Sequence, residues 1–174
     1  MIVGVSMVYA EGVSPFVVPA IDVCFYGQKH DGSWFREDRL YPFNTGLSKI
    51  ESEQVSIVLK NKLAYISWGI DSKVFLLDGA TGGVTHIGNI LQMDFDGNDE
   101  IDALYRKVAY LQRDKYIDSN PDIIYSGAGY HIWIYEVFDF ADIKKILELP
   151  YIRNSLCDKF YRTTMKLKSS VLRL

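Results

Sequence analysis

Cysteine is scarce: Cys24 and Cys157 are the only two in 174 residues, and they lie far apart with no CxxC pair. Such usage gives no support to a disulfide framework or a cysteine-built zinc module, and it suits the reduced thiols of a cytoplasmic protein. Long apolar runs are missing as well. No stretch reaches about 18 uninterrupted apolar residues, and the opening MIVGVSMVYAEG has no basic segment and meets Glu11 early. Neither membrane insertion nor export is expected. The chain also lacks an internal repeat, a low-complexity segment, a Pro/Gly/Ser-rich linker and a large charge imbalance, its formal net charge being -3. With 48% hydrophobic, 14% aromatic and 24% charged residues, it has enough apolar material for one sizeable core. The expectation is a single domain over 1–174 with two subregions, 1–87 and 88–174.

The small net charge hides an uneven distribution. The first hundred residues hold 7 basic and 13 acidic side chains, and the last 74 hold 12 basic and 9 acidic. From Lys144 onward, Lys144, Lys145, Arg153, Lys159, Arg162, Lys166, Lys168 and Arg173 face only Glu148 and Asp158, with Tyr151, Phe160 and Tyr161 interleaved. A tail of this kind suits a phosphate backbone. It is equally what a solvated helix face looks like.

The pattern of residues changes near residue 88. Before it, short apolar runs broken by turn signals predict strands and loops, with one helix over Ser48–Ala64 entered through the capping-box spacing of Ser48 and Glu51. GATGG lacks the Lys-Ser/Thr of a phosphate-binding loop and reads as a turn. After residue 88, IGNILQMDFD reads as a strand, with Asn98 as the cap of the helix that follows. That helix carries Ile101, Leu104, Tyr105, Val108 and Leu111 on one stripe, acids in its first turn and bases in its last. DIIYS and HIWIYEV predict two strands joined by Gly127-Ala128-Gly129, and Asp139 begins a second helix with Phe140, Ile143, Ile146 and Leu147. The order is β-α-β-β-α, an α+β unit.

Two motifs carry chemistry. In Met93-Asp94-Phe95-Asp96, alternation along a strand sends both carboxylates to one face and both apolar side chains to the other. Carboxylates about 6 to 7 Å apart along a strand repel one another unless a hard cation sits between them, and oxygen ligation suits Mg²⁺ or Mn²⁺ carrying a phosphate substrate. A strand end dissolving into a polar turn would read the same way. An EF-hand loop fails on spacing, because Asp99 stands where glycine is needed and Tyr105 where glutamate is needed. The second motif, Ser126-Gly127-Ala128-Gly129-Tyr130-His131, is a glycine-bearing turn whose backbone and hydroxyl can cradle phosphate, with His131 at the head of a strand. A plain hairpin turn, with the histidine packed beside Trp133, also accounts for it.

Together, in this order, MDFD and SGAGYH resemble the catalytic core of the archaeo-eukaryotic primase superfamily, closest to the plasmid and virus primase-polymerases. Leu156-Cys157-Asp158 matches that family's third motif, a hydrophobic residue followed by aspartate, and Val171-Leu172-Arg173-Leu174 resembles the start of its Arg-Leu-Pro-x-Ser stretch. The resemblance covers about residues 88–174. The family's second histidine and cysteine-histidine zinc module have no counterpart. The resemblance implies an RRM-like β-α-β-β-α catalytic core with an N-terminal α/β extension. It implies a template-directed nucleotidyltransferase, a DNA primase or primase-polymerase, releasing pyrophosphate.

On that resemblance Asp94, Asp96 and Asp158 hold Mg²⁺ or Mn²⁺ for two-metal chemistry, while Ser126, Gly127, Gly129, His131 and Arg173 bind the incoming nucleotide. Single-stranded DNA template and nucleoside triphosphates are the expected partners, with a helicase or accessory primase subunit as further candidates and no membrane. Two other readings stay open. One is a noncatalytic single-stranded nucleic-acid-binding module using Trp133, Tyr135 and the basic tail, which would work without metal. The other is a truncated, inactive relative with a structural role.

Overall fold

The structure is a computed structural model describing residues 17–43, 45–78, 80–97 and 99–173. These residues form an α+β arrangement of β1 (Val17–Lys29), β2 (Trp34–Pro42), α1 (Leu47–Asn61), β3 (Leu63–Asp78), β4 (Val84–Asp96), α2 (Ile101–Arg113), β5 (Asp122–Tyr125), β6 (Gly129–Phe138), α3 (Phe140–Leu147), α4 (Pro150–Arg153), α5 (Asp158–Leu167) and β7 (Val171–Arg173). The chain divides into two compact units, Met1–Ile87 with Arg173–Leu174, and Gly88–Leu172. No described helix is long and apolar enough to cross a membrane.

In the first unit β1 pairs antiparallel with both β2 and β3. Its alternating residues Val23 and Phe25 are fully buried, while Asp22, Cys24 and Tyr26 stand half-buried on the other side, as a period of two requires. The helix α1 buries Ile50 and Ile57. It is shorter than the apolar pattern predicts: Lys62 takes the left-handed conformation (φ 53) and its N–H returns to the Val58 carbonyl, ending the helix. Leu63 and Ala64 therefore begin β3 instead. The capping box is also absent, because the N-cap is Gly46 and no side chain bonds there.

In the second unit β6 lies between β4 and β5, antiparallel to each. The element order β4-α2-β5-β6-α3 is the expected β-α-β-β-α. Of the five-residue stripe on α2, only Leu104, Val108 and Leu111 are buried. Ile101 and Tyr105 are exposed, because the covered face is one residue wide per turn. Glu100 occupies the cap position, and Asn98 lies outside the described residues. Asp139 does stand at the N-cap of α3, without a side-chain hydrogen bond, so its help to the helix is electrostatic.

Candidate metal centre

The end of β4 sorts its side chains by face. Met93 and Phe95 have essentially no exposed surface, whereas Asp94 is half-buried and Asp96 is exposed. Across the ladder Asp94 is directly opposite His131, and Asp96 is opposite Gly129. Directly paired residues project to the same side of an antiparallel sheet, so His131 shares the carboxylate face. Its ring is buried, with Nε2 at 3.5 Å from Asp94 Oδ1. Nδ1 is buried and has no hydrogen-bond partner among the described residues.

The hairpin that delivers His131 is built on close backbone approach. Ser126 N–H donates to the Gly129 carbonyl at 2.9 Å. Gly127 turns the chain with φ +93, and a Cβ on Gly129 would meet the Phe95 carbonyl oxygen at 2.0 Å. Ser126 and Gly127 are exposed and Gly129 is buried.

A third segment closes on the same strand. Leu156 forms an isolated antiparallel bridge with Phe95, and Cys157 N–H donates to the Asp94 carbonyl at 2.8 Å. Those two links fix Cys157, the residue before α5, beside the carboxylates. One carboxylate oxygen from each of Asp94 and Asp96, together with Cys157 Sγ, lie within 4.8 Å of one another. Among the described residues no other set of three or more His, Cys, Asp or Glu donors gathers in this way.

Burial and neighbouring charge shift the groups at this point. Burial raises the Asp94 pKa, the charge of Asp96 adds to the rise, and His131 opposes it. Burial lowers His131, against the pull of Asp94. The Cys157 thiol is raised by burial, with the Phe160 amide pulling the other way and Asp96 and Asp94 adding to the rise. Among the described residues no lysine or arginine forms an ion pair with Asp94 or Asp96, and Asp94 pairs with His131 alone. Bonds of about 2.0–2.3 Å put the donors of one ion roughly 3 to 4.5 Å apart, so the spacing of this set is near what one divalent cation requires.

The other expected site residues lie elsewhere. Asp158 is half exposed and bound by Arg153 and Arg162, each at 2.7 Å. The third member of the donor group is therefore its neighbour Cys157, which the sequence offered only as the middle of Leu-Cys-Asp. Arg173 belongs to the first unit, its guanidinium 5.0 Å from the Tyr26 ring centre. Trp133 has no exposed surface, which removes it as a base-stacking platform. Part of the basic tail is occupied too, with Arg153 4.1 Å from the Tyr161 ring and Lys145 5.8 Å from that of Tyr116. No family model, curated protein or solved structure matches this chain.

Proposed function

We propose that this chain is the catalytic core of a template-directed nucleotidyltransferase of the primase-polymerase type, joining nucleotides with release of pyrophosphate. One observation supports the reading above the rest: Asp94, Asp96 and Cys157 converge within 4.8 Å with His131 paired opposite Asp94, and among the described residues neither carboxylate has a lysine or arginine ion-pair partner. The β4-β6-β5 pairing, with α2 between β4 and β5 in the chain, is also the one an RRM-like core needs.

In this reading a hydroxyl oxygen attacks the α-phosphorus of a nucleoside triphosphate, a new P–O bond forms, and the bond to the β-phosphate oxygen breaks. Asp94 and Asp96 bind Mg²⁺ or Mn²⁺. Bound divalent metal supplies charge neutralisation of the triphosphate and a more acidic attacking hydroxyl. His131 is a positioning residue, since its Nε2 faces Asp94 and its burial leaves little surface for a ligand. The exposed turn at Ser126 and Gly127 offers a hydroxyl and open backbone to phosphate oxygens.

The test is incorporation of labelled nucleotides on a single-stranded template with Mn²⁺ or Mg²⁺, comparing the wild-type chain with the Asp94→Ala/Asp96→Ala variant. Metal-dependent products that vanish in the variant and in EDTA are expected. Equal products from both chains would overturn the proposal.

A further inference from the structure

We propose that Cys157 is a metal ligand through its sulfur, so that the centre at Asp94 and Asp96 selects a transition-metal ion over Mg²⁺. The inference rests on reading that group as a metal centre, and it deepens that reading by naming the class of ion. Its basis is placement rather than mere proximity. The Leu156–Phe95 bridge and the hydrogen bond from Cys157 N–H to the Asp94 carbonyl hold the residue by its backbone, so the thiol's position does not depend on a flexible loop. Its sulfur shares the 4.8 Å envelope of the two carboxylates. The adjacent carboxylate, Asp158, is drawn away by Arg153 and Arg162.

A buried histidine stands beside the same donors. His131 is more than nine-tenths buried against Asp94, with Nδ1 lacking a hydrogen-bond partner among the described residues. An unsatisfied buried polar atom is costly and calls for a partner such as a water or an ion.

The chemistry of the donors then sets the preference. Two carboxylates with water would suit Mg²⁺, which demands octahedral oxygen coordination. Replacing one oxygen by sulfur disfavours Mg²⁺ and favours ions that accept thiolate, with affinity rising from Mn²⁺ to Co²⁺ along the first row. On binding, the sulfur–metal bond forms as the thiol proton leaves to solvent, with no change of oxidation state.

Co²⁺ tests the assignment because a cobalt–thiolate bond gives a near-ultraviolet charge-transfer band that carboxylate ligation does not. Titration of the wild-type chain with Co²⁺ is expected to produce that band. Cys157→Ser should lose the band and bind Co²⁺ about tenfold or more weakly, while Cys157→Asp should lose it and shift the Co²⁺/Mg²⁺ preference, measured by calorimetry, towards Mg²⁺. Should Cys157→Ser fail to fold by circular dichroism, Cys24→Ser decides the matter, because Cys157 is then the one thiol in the chain and the band must persist. Co²⁺ bound without a band, and lost in Asp94→Asn, would overturn the role of Cys157 while leaving a carboxylate metal site standing. A folded wild-type chain that binds no Co²⁺ would overturn both.

Discussion

Each of the two units carries an acidic side chain two residues from a second potential ligand on one strand: Asp22-Val23-Cys24 on β1 and Asp94-Phe95-Asp96 on β4. In both, the intervening residue is core, and the polar pair shares a face. What surrounds them differs. In the first unit Asp22 lies opposite Asp71 and Cys24 opposite Asp38. Burial and those acids push Asp22 up to about 6, with Arg36 and Lys73 opposing. Burial and Asp38 push Cys24 up to about 11. Arg36 is already bonded to Asp38 at 3.3 Å. Asp22 thus has Arg36 and Lys73 acting on it, whereas among the described residues no lysine or arginine pairs with Asp94 or Asp96, and Cys157 stands beside them as a third donor. On the proposed reading, what distinguishes the acids of β4 is that another segment is locked onto the strand by backbone bonds and brings a third donor to them.

The sharpest break of this contrast is mutational. Asp94→Asn is expected to lower metal-dependent nucleotide incorporation about a hundredfold or more, as loss of a charged group acting on a phosphoryl transition state does. Asp22→Asn should leave incorporation unchanged. Equal losses in the two variants, with both chains folded by circular dichroism, would erase the distinction drawn between the strands.

Two glycines offer the next largest effect, on stability. A Cβ at Gly129 would meet the Phe95 carbonyl oxygen at 2.0 Å, and one at Gly27 would meet the Tyr65 carbonyl oxygen at 2.2 Å. Backbone cannot step aside as a side-chain tip can, so each alanine substitution should cost about 3 kcal/mol or more in urea unfolding. Gly127→Ala, with nothing within 4 Å but φ +93, should cost about 1–2 kcal/mol. Only Gly129→Ala is expected to weaken Co²⁺ binding as well, because it disturbs the strand pair that carries Asp96. Equal weakening by Gly27→Ala would contradict that separation.

Much of the second unit was legible in the sequence, because its periods are strong: a strict alternation at MDFD, a 3.6-residue stripe over Leu104, Val108 and Leu111, and glycines between two β-rich runs. What was not legible came from contacts between distant segments. The place of Cys157 is set by the Leu156–Phe95 bridge, across some sixty residues of chain, and no local pattern announces such a bridge. The binding-module reading needs an accessible Trp133 ring, yet β6 lies between β4 and β5 and is buried without a break from His131 to Ile134. The end of α1 was obscured because the apolar run continues through Leu63, and a run of that length fits a helix or a strand alike.

A smaller effect separates the two units by pH. The Asp22 pKa stands at about 6 in the folded chain against an ordinary value of 3.8. The native state therefore holds a proton more tightly than the unfolded one, and stability through this group increases as pH falls from about 6 towards 3.8. Above that window the charged carboxylate destabilises the fold, by about 1–2 kcal/mol once partial solvent screening is allowed for. Asp22→Asn should accordingly be more stable than wild type at pH 8, with the advantage closing at acid pH. An advantage of constant size across the range would mean that the carboxylate's ionisation is not what is being relieved.

The smallest effect is the most useful for assigning the third donor. Asp158 stands in the first turn of α5, where its charge suits the helix end, and holds Arg162 one turn on at 2.7 Å. Both partners are well exposed, Asp158 at 52% and Arg162 at 80% of their side-chain surface, so salt weakens the pair. Asp158→Asn is expected to cost about 0.5–1 kcal/mol at low ionic strength, a loss that shrinks as salt is added, while Co²⁺ affinity stays at the wild-type level. The two candidate donors are adjacent in sequence, yet one is held to β4 through its own N–H and the other is held by arginines. A fall in Co²⁺ affinity as large as that of Asp94→Asn would therefore mean that the carboxylate leaves its arginines to take the third corner, and the sulfur would lose its role.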